Sequence, residues 1–141
     1  MTQFYKECVI DSPVWIGAKS KNDQYRLKCL DIVNNFNSEN IRKVYITDYV
    51  FLETINFLLR KDSFEESNQA LFNFLQSERV EIVFVDEVML DDIKNIFEKY
   101  KNLSLTDCSI IALMKEKNIK HLFSFDSGFD KVKDIVRREN V

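Results

Sequence analysis

Short β-branched and aromatic runs alternate with stretches of helical periodicity along nearly the whole chain, and that alternation restricts the fold more than any other feature. Glu7 to Ile10, Lys43 to Thr47, Val80 to Val85 and His121 to Phe125 read as strands, with a short fifth at 134–136. Between them, residues 22–36 carry Tyr25, Leu27, Leu30, Ile32, Val33 and Phe36 near helical spacing. Helices are also predicted over 49–60, 64–76 with Ser63 as N-cap, and 86–100. Another opens at the capping box Ser104-Leu105-Thr106-Asp107 and runs to about Lys117. Strands alternating with helices predict an α/β fold, a three-layer α/β/α sandwich around a mainly parallel sheet of four to five strands. With 141 residues, two Gly and one Pro, no long linker is expected, and a single domain should span residues 1–141.

Charge and rare residues narrow the chemistry. The net charge of −3 argues against a broad basic surface for nucleic acid, although it leaves nucleic acid open as a substrate. The N-terminus is charged where a signal peptide needs its apolar stretch, and no apolar run approaches a membrane span. The expected location is the cytoplasm. Cys8, Cys29 and Cys108 are odd in number and lack C-x-x-C spacing, which fits reduced, buried thiols. His121 is the single histidine and falls inside a strand, so a multi-histidine zinc site is excluded. Any metal held by this chain would sit on carboxylate oxygens, which select Mg²⁺ or Mn²⁺.

Several carboxylates stand against apolar runs, where desolvation is costly unless a cation compensates. Cys-Val-Ile leads into Asp11, Phe-Ser-Phe leads into Asp126, and Glu53 has Tyr49, Val50 and Phe57 on its own helical face. Asp11 also fits a turn cap in Asp11-Ser12-Pro13, and strand-ending Asp48 and Asp86 are read as caps. Asp107 is the acid of the capping box, yet Ile110 and Ile111 turn its face inward. Asp130 lies four residues after Asp126, so one helical turn would stack the two; a solvated acid beside Lys131 and Lys133 is the competing reading. If strands neighbour one another in parallel, Asp11 and Asp126 meet at the carboxyl edge of the sheet, where ligands bind in such folds.

In their order, these segments resemble the PIN-domain nucleases across nearly the whole chain. Val-Ile-Asp11-Ser12-Pro-Val-Trp-Ile looks like the family's opening strand with its first acid and following hydroxyl. Thr47-Asp-Tyr-Val-Phe-Leu-Glu53 is similar to the second motif, Leu-Thr-Asp107-Cys-Ser to the third, and Ser124-Phe-Asp126-Ser-Gly-Phe129 to the fourth. One departure is Gly128, where many relatives carry a further acid; Asp130 is the available substitute. The resemblance implies a metal-dependent endoribonuclease that hydrolyses RNA phosphodiester bonds, often the toxin of a VapC-type, type II toxin–antitoxin pair. It further implies Asp11, Glu53, Asp107 and Asp126 as catalytic metal ligands for Mg²⁺ or Mn²⁺, with Asp130 outermost and Ser12, Thr47 and Ser124 orienting them. The partners it implies are an RNA substrate, a cognate antitoxin and a second copy of the chain.

Other readings stay open. A PIN-domain RNA-processing nuclease outside a toxin–antitoxin pair and a catalytically silent PIN-like binding module share these features, whereas an aspartyl phosphatase would want a second acid where Asp11 is followed by Ser-Pro-Val. Lys19, Lys21, Arg26, Lys28, Arg42 and Lys43 could form a basic rim or be solvated helix and strand faces. Phe51, Phe57, Phe64, Phe72 and Phe74 exceed what one core needs and could supply a homodimer interface.

Overall fold

The computed structural model describes residues 3–141; Met1 and Thr2, part of the charged N-terminus, lie outside the described residues. Strands β1 (Tyr5–Ile10), β2 (Ile41–Thr47), β3 (Val80–Val83), β4 (His121–Phe123) and β5 (Val136–Arg138) form one sheet in the order β3-β2-β1-β4-β5. Every neighbouring pair is parallel, so the predicted α/β/α fold with a parallel sheet of five strands is the observed one.

Both faces of the sheet are covered, which explains why its strands read as continuous apolar runs. Cys8, Ile10, Val44 and Phe123 enter one core. There they meet Val14 of helix α1 (Ser12–Lys19) and Cys29, Ile32 and Phe36 of α2 (Arg26–Asn37). Val9, Tyr45 and Leu122 enter the other core. It is completed by Met89, Ile93 and Ile96 of α5 (Glu87–Tyr100) and Ile110, Ile111, Leu113 and Met114 of α6 (Leu105–Lys117). Cys8, Val9 and Ile10 thus alternate between cores, as strand geometry requires. Helices α3 (Asp48–Lys61) and α4 (Phe64–Gln76) form a hairpin, and α3 packs on α1. Among the described residues, no helix is long and apolar enough to cross a membrane.

The sequence reading assigns no helix to residues 12–19, yet α1 forms there. Pro13 occupies its first turn, where a missing N–H costs nothing. A Cβ on Gly17 would collide with Cys29 Sγ, so α1 and α2 approach as closely as glycine allows. Helix α2 accordingly begins at Arg26 rather than 22, with Tyr25 as N-cap. The strands are shorter than expected at β3 and β4, and β5 lies two residues later, at Val136–Arg138. Asp86 caps α5 by accepting the Met89 N–H at 2.8 Å, and Ser63 caps α4 by accepting that of Glu66 at 3.1 Å. Asp48 is not the cap of α3. Thr47 takes that place, while Asp48 Oδ1 accepts the Val85 N–H at 3.1 Å and ties the exit of β3.

Candidate active site

From the central strand β1 the chain builds outward in one direction through β2 and β3, then returns to add β4 and β5 on the other side. The carboxyl ends of β1 and β4 therefore border the crevice that sheets of this kind use for ligands. Ile10 pairs with Phe123, and the Asp11 N–H donates to the Phe123 carbonyl at 3.0 Å. That register joins the two ends of the chain. Ser124 Oγ donates to Asp11 Oδ2 at 2.9 Å, and the Ser12 N–H to Asp11 Oδ1 at 2.8 Å.

The other acids arrive on helices and a turn. Glu53 projects from α3, where Ser12 Oγ donates to its Oε2 at 2.7 Å. Asp107, in the first turn of α6, completes the capping box: its Oδ2 accepts the Ser104 N–H at 3.1 Å, and its own N–H donates to Ser104 Oγ at 3.0 Å. Asp126 caps the 3-10 turn Ser127–Lys131, its Oδ1 accepting the Gly128 N–H at 2.8 Å. Each of these three carboxylates thus has one oxygen anchored by the protein. Glu53 Oε1, Asp107 Oδ1 and Asp126 Oδ2 have no hydrogen-bond partner among the described residues.

The four acids feel one another electrically. Asp11 is only 5 % exposed, and burial pushes its carboxyl up to about 7. The bonds from Ser124 and Ser12 pull it down, and the charges of Asp107 and Glu53 push it up again. Burial also raises the Asp107 carboxyl; the bonds with Ser104 oppose the rise, and the Asp126 and Glu53 charges add to it. Among the described residues, no lysine or arginine forms a salt bridge with Asp11, Glu53, Asp107 or Asp126. An acid group without an internal cation, presenting free hard oxygens, fits a divalent cation from solution. The arrangement is open: no three His, Cys, Asp or Glu side chains among the described residues close into a ready-made cage.

Other expected site residues are placed differently. Thr47 forms no hydrogen bond with a carboxylate side chain among the described residues; it caps α3 and lies 3.0 Å from Ser109 Oγ. Ser109, which the sequence reading does not single out, is fully buried and donates to the Thr106 carbonyl at 2.6 Å. The Thr47–Ser109 pair therefore ties α3 to α6, and so fixes the spacing of the helices that carry Glu53 and Asp107. Asp130 is taken by Arg137, which donates from Nε to Oδ1 at 2.8 Å and from Nη2 to Oδ2 at 3.1 Å. That bidentate pair holds the Asp130 carboxyl below its ordinary value. Its charge is already neutralised by a guanidinium, whereas Asp11, whose oxygens are also hydrogen-bonded, has no cationic partner among the described residues; that removes the electrostatic reason for placing Asp130 among the metal ligands. A Cβ at Gly128 would come within 2.9 Å of Asp126 Oδ1 and 3.1 Å of Leu103 Cδ2, so this backbone has little room for the acid that many relatives carry there.

Arg42 and Lys43 do not border the crevice. They lie five and four residues before the carboxyl end of β2, about 13–16 Å back along the strand. Lys43 instead bridges to Glu81 at 3.3 Å. Lys19 pairs with Glu66 at 3.7 Å and Lys28 with Glu139 at 4.0 Å. His121 is a packed strand residue whose Nδ1 accepts from Arg138 Nε at 3.1 Å and whose ring meets Tyr5 edge-on. Cys8, Cys29 and Cys108 are free and buried.

With that geometry, residues 8–135 match the family model described as PIN domain. Three solved structures share the fold. The sarcin–ricin-loop-cleaving toxin VapC20 of Mycobacterium tuberculosis is 18 % identical, with a TM-score of 0.72 over 89 % of this chain and 95 % of that one. A toxin–antitoxin complex from Klebsiella pneumoniae is 13 % identical, with a TM-score of 0.71 over 92 % and 95 %. VapBC2 of Rickettsia felis, bound to a DNA fragment from its promoter, is 14 % identical, with a TM-score of 0.68 over 94 % and 97 %. No curated protein matches the sequence.

Proposed function

The chain belongs to the PIN-domain family, and from that premise we propose that it is a Mg²⁺- or Mn²⁺-dependent endoribonuclease, the toxin of a type II toxin–antitoxin module. The observation that carries this reading is the buried Asp11 carboxylate, grouped with Glu53, Asp107 and Asp126 at the switch point of the sheet and lacking an internal cation. A divalent cation bound there supplies neutralisation of the phosphate charge and a water acidic enough to attack at neutral pH. The chain's own residues do the positioning. Ser124 and Ser12 hold both oxygens of Asp11, and Ser12 also holds Glu53, so one hydroxyl residue spaces two ligands. The free oxygens of Glu53, Asp107 and Asp126 complete the proposed ligand set, without Asp130.

The test compares wild type with Asp11→Asn on structured RNA in Mn²⁺. Cleavage should fall at least about 100-fold; equal cleavage by both proteins identifies a contaminant and removes the nuclease reading. The toxin role draws on the fold shared with VapC20 and with the Klebsiella complex. It requires that induced expression arrest growth of a bacterial host and that a co-expressed antitoxin relieve the arrest; unaffected growth would favour an RNA-processing role. A homodimer is part of the same proposal. Phe74 is buried and Phe51 is half-buried against it, ring against ring at 5.8 Å, but Phe64, Phe72 and Leu75 remain exposed along one stripe of α4. Monomeric elution at high micromolar concentration would remove the dimer.

A further inference from the structure

Phe125 stands between two residues of the candidate site, Ser124, which holds Asp11, and Asp126. It packs against the core beneath α1 and α2, and stacks on Tyr25 with ring centroids 4.5 Å apart and an interplanar angle of 17°. Tyr25 remains 39 % exposed, so the layers run from core to Phe125 to Tyr25 to solvent. The Tyr25 ring is held from below and at its backbone, where its N–H donates to Asp23 Oδ1 at 2.8 Å and its carbonyl accepts the Cys29 N–H at 2.9 Å. Arg26, the next residue, keeps Nη1 out of solvent with no hydrogen-bond partner among the described residues.

We infer that the Tyr25–Phe125 stack is a nucleobase platform: the outer face of Tyr25 stacks on an unpaired base next to the phosphodiester at the acid site. This rests on the nuclease reading and specifies single-stranded RNA as the form engaged there. The chemistry is general, because every base has a π-face and a pre-stacked, immobilised ring loses little freedom on binding. The position is specific. Phe125 adjoins Asp126 in the chain, with Cα atoms about 3.8 Å apart, and the Tyr25 ring lies 4.5 Å from that of Phe125, so the stack starts beside an acid of the site. A stacked aromatic pair does not need bases of a given sequence, so it selects unpaired over paired RNA rather than one base over another.

The experiment uses the full chain carrying Asp11→Asn, which keeps RNA intact, and measures binding of labelled oligo(A) and an abasic oligomer of equal length in Mg²⁺. Adding Tyr25→Ala should weaken oligo(A) binding about tenfold, in line with the loss of one base stack, and leave the abasic oligomer unchanged. Tyr25→Phe should restore wild-type affinity, whereas Tyr25→Leu, apolar but without a π-face, should not. In the cleavage-competent chain, Tyr25→Ala should raise KM and spare kcat, a split that general loosening of the fold would not produce. The platform is overturned if Tyr25→Ala weakens both oligomers equally, weakens neither, or if the parent protein itself does not prefer the oligomer with bases. Absence of cleavage by wild type would remove the nuclease reading instead, while the comparison with the abasic oligomer still decides the platform.

Discussion

Two groups of acids lie beside the β1, β4 and β5 end of the sheet, and the protein treats them in opposite ways. Asp130 and Glu139 face Arg137, which binds Asp130 through two nitrogens, approaches Glu139 at 3.4 Å and donates Nη1 to the Ser124 carbonyl at 3.1 Å. That group is neutralised from within. Asp11, Glu53, Asp107 and Asp126 receive only hydroxyl and backbone N–H donors and no cationic side chain among the described residues. The first group holds β5 against the turn after β4. The second keeps its charges without an internal counter-ion among the described residues. An acid's usefulness as a ligand therefore depends less on its position than on whether arginine has already claimed it.

The largest effect expected from this contrast is on stability against pH in metal-free protein. The folded state raises the Asp11 carboxyl from 3.8 to about 7, so folding favours the protonated form. Its contribution is fully present below the unfolded value and is lost as pH rises through the folded one. At 1.36 kcal/mol per unit, the difference is at most about 4 kcal/mol between pH 4 and 7. Asp107 is raised too and acts in the same direction. Thermal melts in chelator should fall steeply over that range, and Asp11→Asn should flatten the slope and stabilise the protein at pH 8. Asp130 is shifted down and acts oppositely, its contribution present above its unfolded value and lost in acid. A wild-type melt independent of pH from 4 to 8 would mean that Asp11 is not desolvated as described.

The second effect is that of metal. A cation that binds only the folded chain stabilises it by about 2.7 kcal/mol at 100 times its Kd, which for a chain of this size is a rise in Tm of roughly 5–10 °C. Mg²⁺ or Mn²⁺ should produce it, and Asp11→Asn should shrink it, since Glu53, Asp107 and Asp126 keep their free oxygens. No shift at saturating metal would break the idea that the cluster is short of a cation. A rise undiminished in Asp11→Asn would place the cation elsewhere.

The alternating fold was legible because its signals are local: strand runs such as Val80–Val83, caps such as Ser63 and Asp86, and the Ser104–Asp107 capping box. Helix α1 was not, because Pro13 and Gly17 break its pattern within eight residues, and Gly17 is there for the approach of Cys29. In the site, acids abutting apolar runs could be recognised, but the adjacency of β1 and β4 depends on strand order, which periodicity does not encode. Asp130 shows the same limit from the other side. Its four-residue spacing from Asp126 suggested shared duty, whereas Arg137, seven residues further on, comes back along β5 to meet it. Arg42 and Lys43 are near Thr47 in sequence, yet an extended strand carries them away from the crevice. Ser109 leaves no signal at all, since a hydroxyl on a buried helical face looks like a small core residue until its partner Thr47 is in place.

The smallest effect is the sharpest test of the contrast. Asp130→Asn removes one exposed partner of Arg137, and exposed ion pairs contribute little because solvent screens them. Arg137 keeps its bond to the Ser124 carbonyl and its contact with Glu139, so the strand that holds Asp11's hydroxyl donor stays in register. RNA cleavage by Asp130→Asn should stay within about threefold of wild type, because surface changes away from special features are nearly neutral. Its Mg²⁺-dependent rise in Tm should match that of wild type. The pairing with Arg137 predicts the opposite of what a metal ligand would show, since losing a ligand would reduce both cleavage and the metal-dependent rise. If both readouts fall in Asp130→Asn as they do in Asp11→Asn, Arg137 releases Asp130 when metal binds, and the two acid groups are a single site.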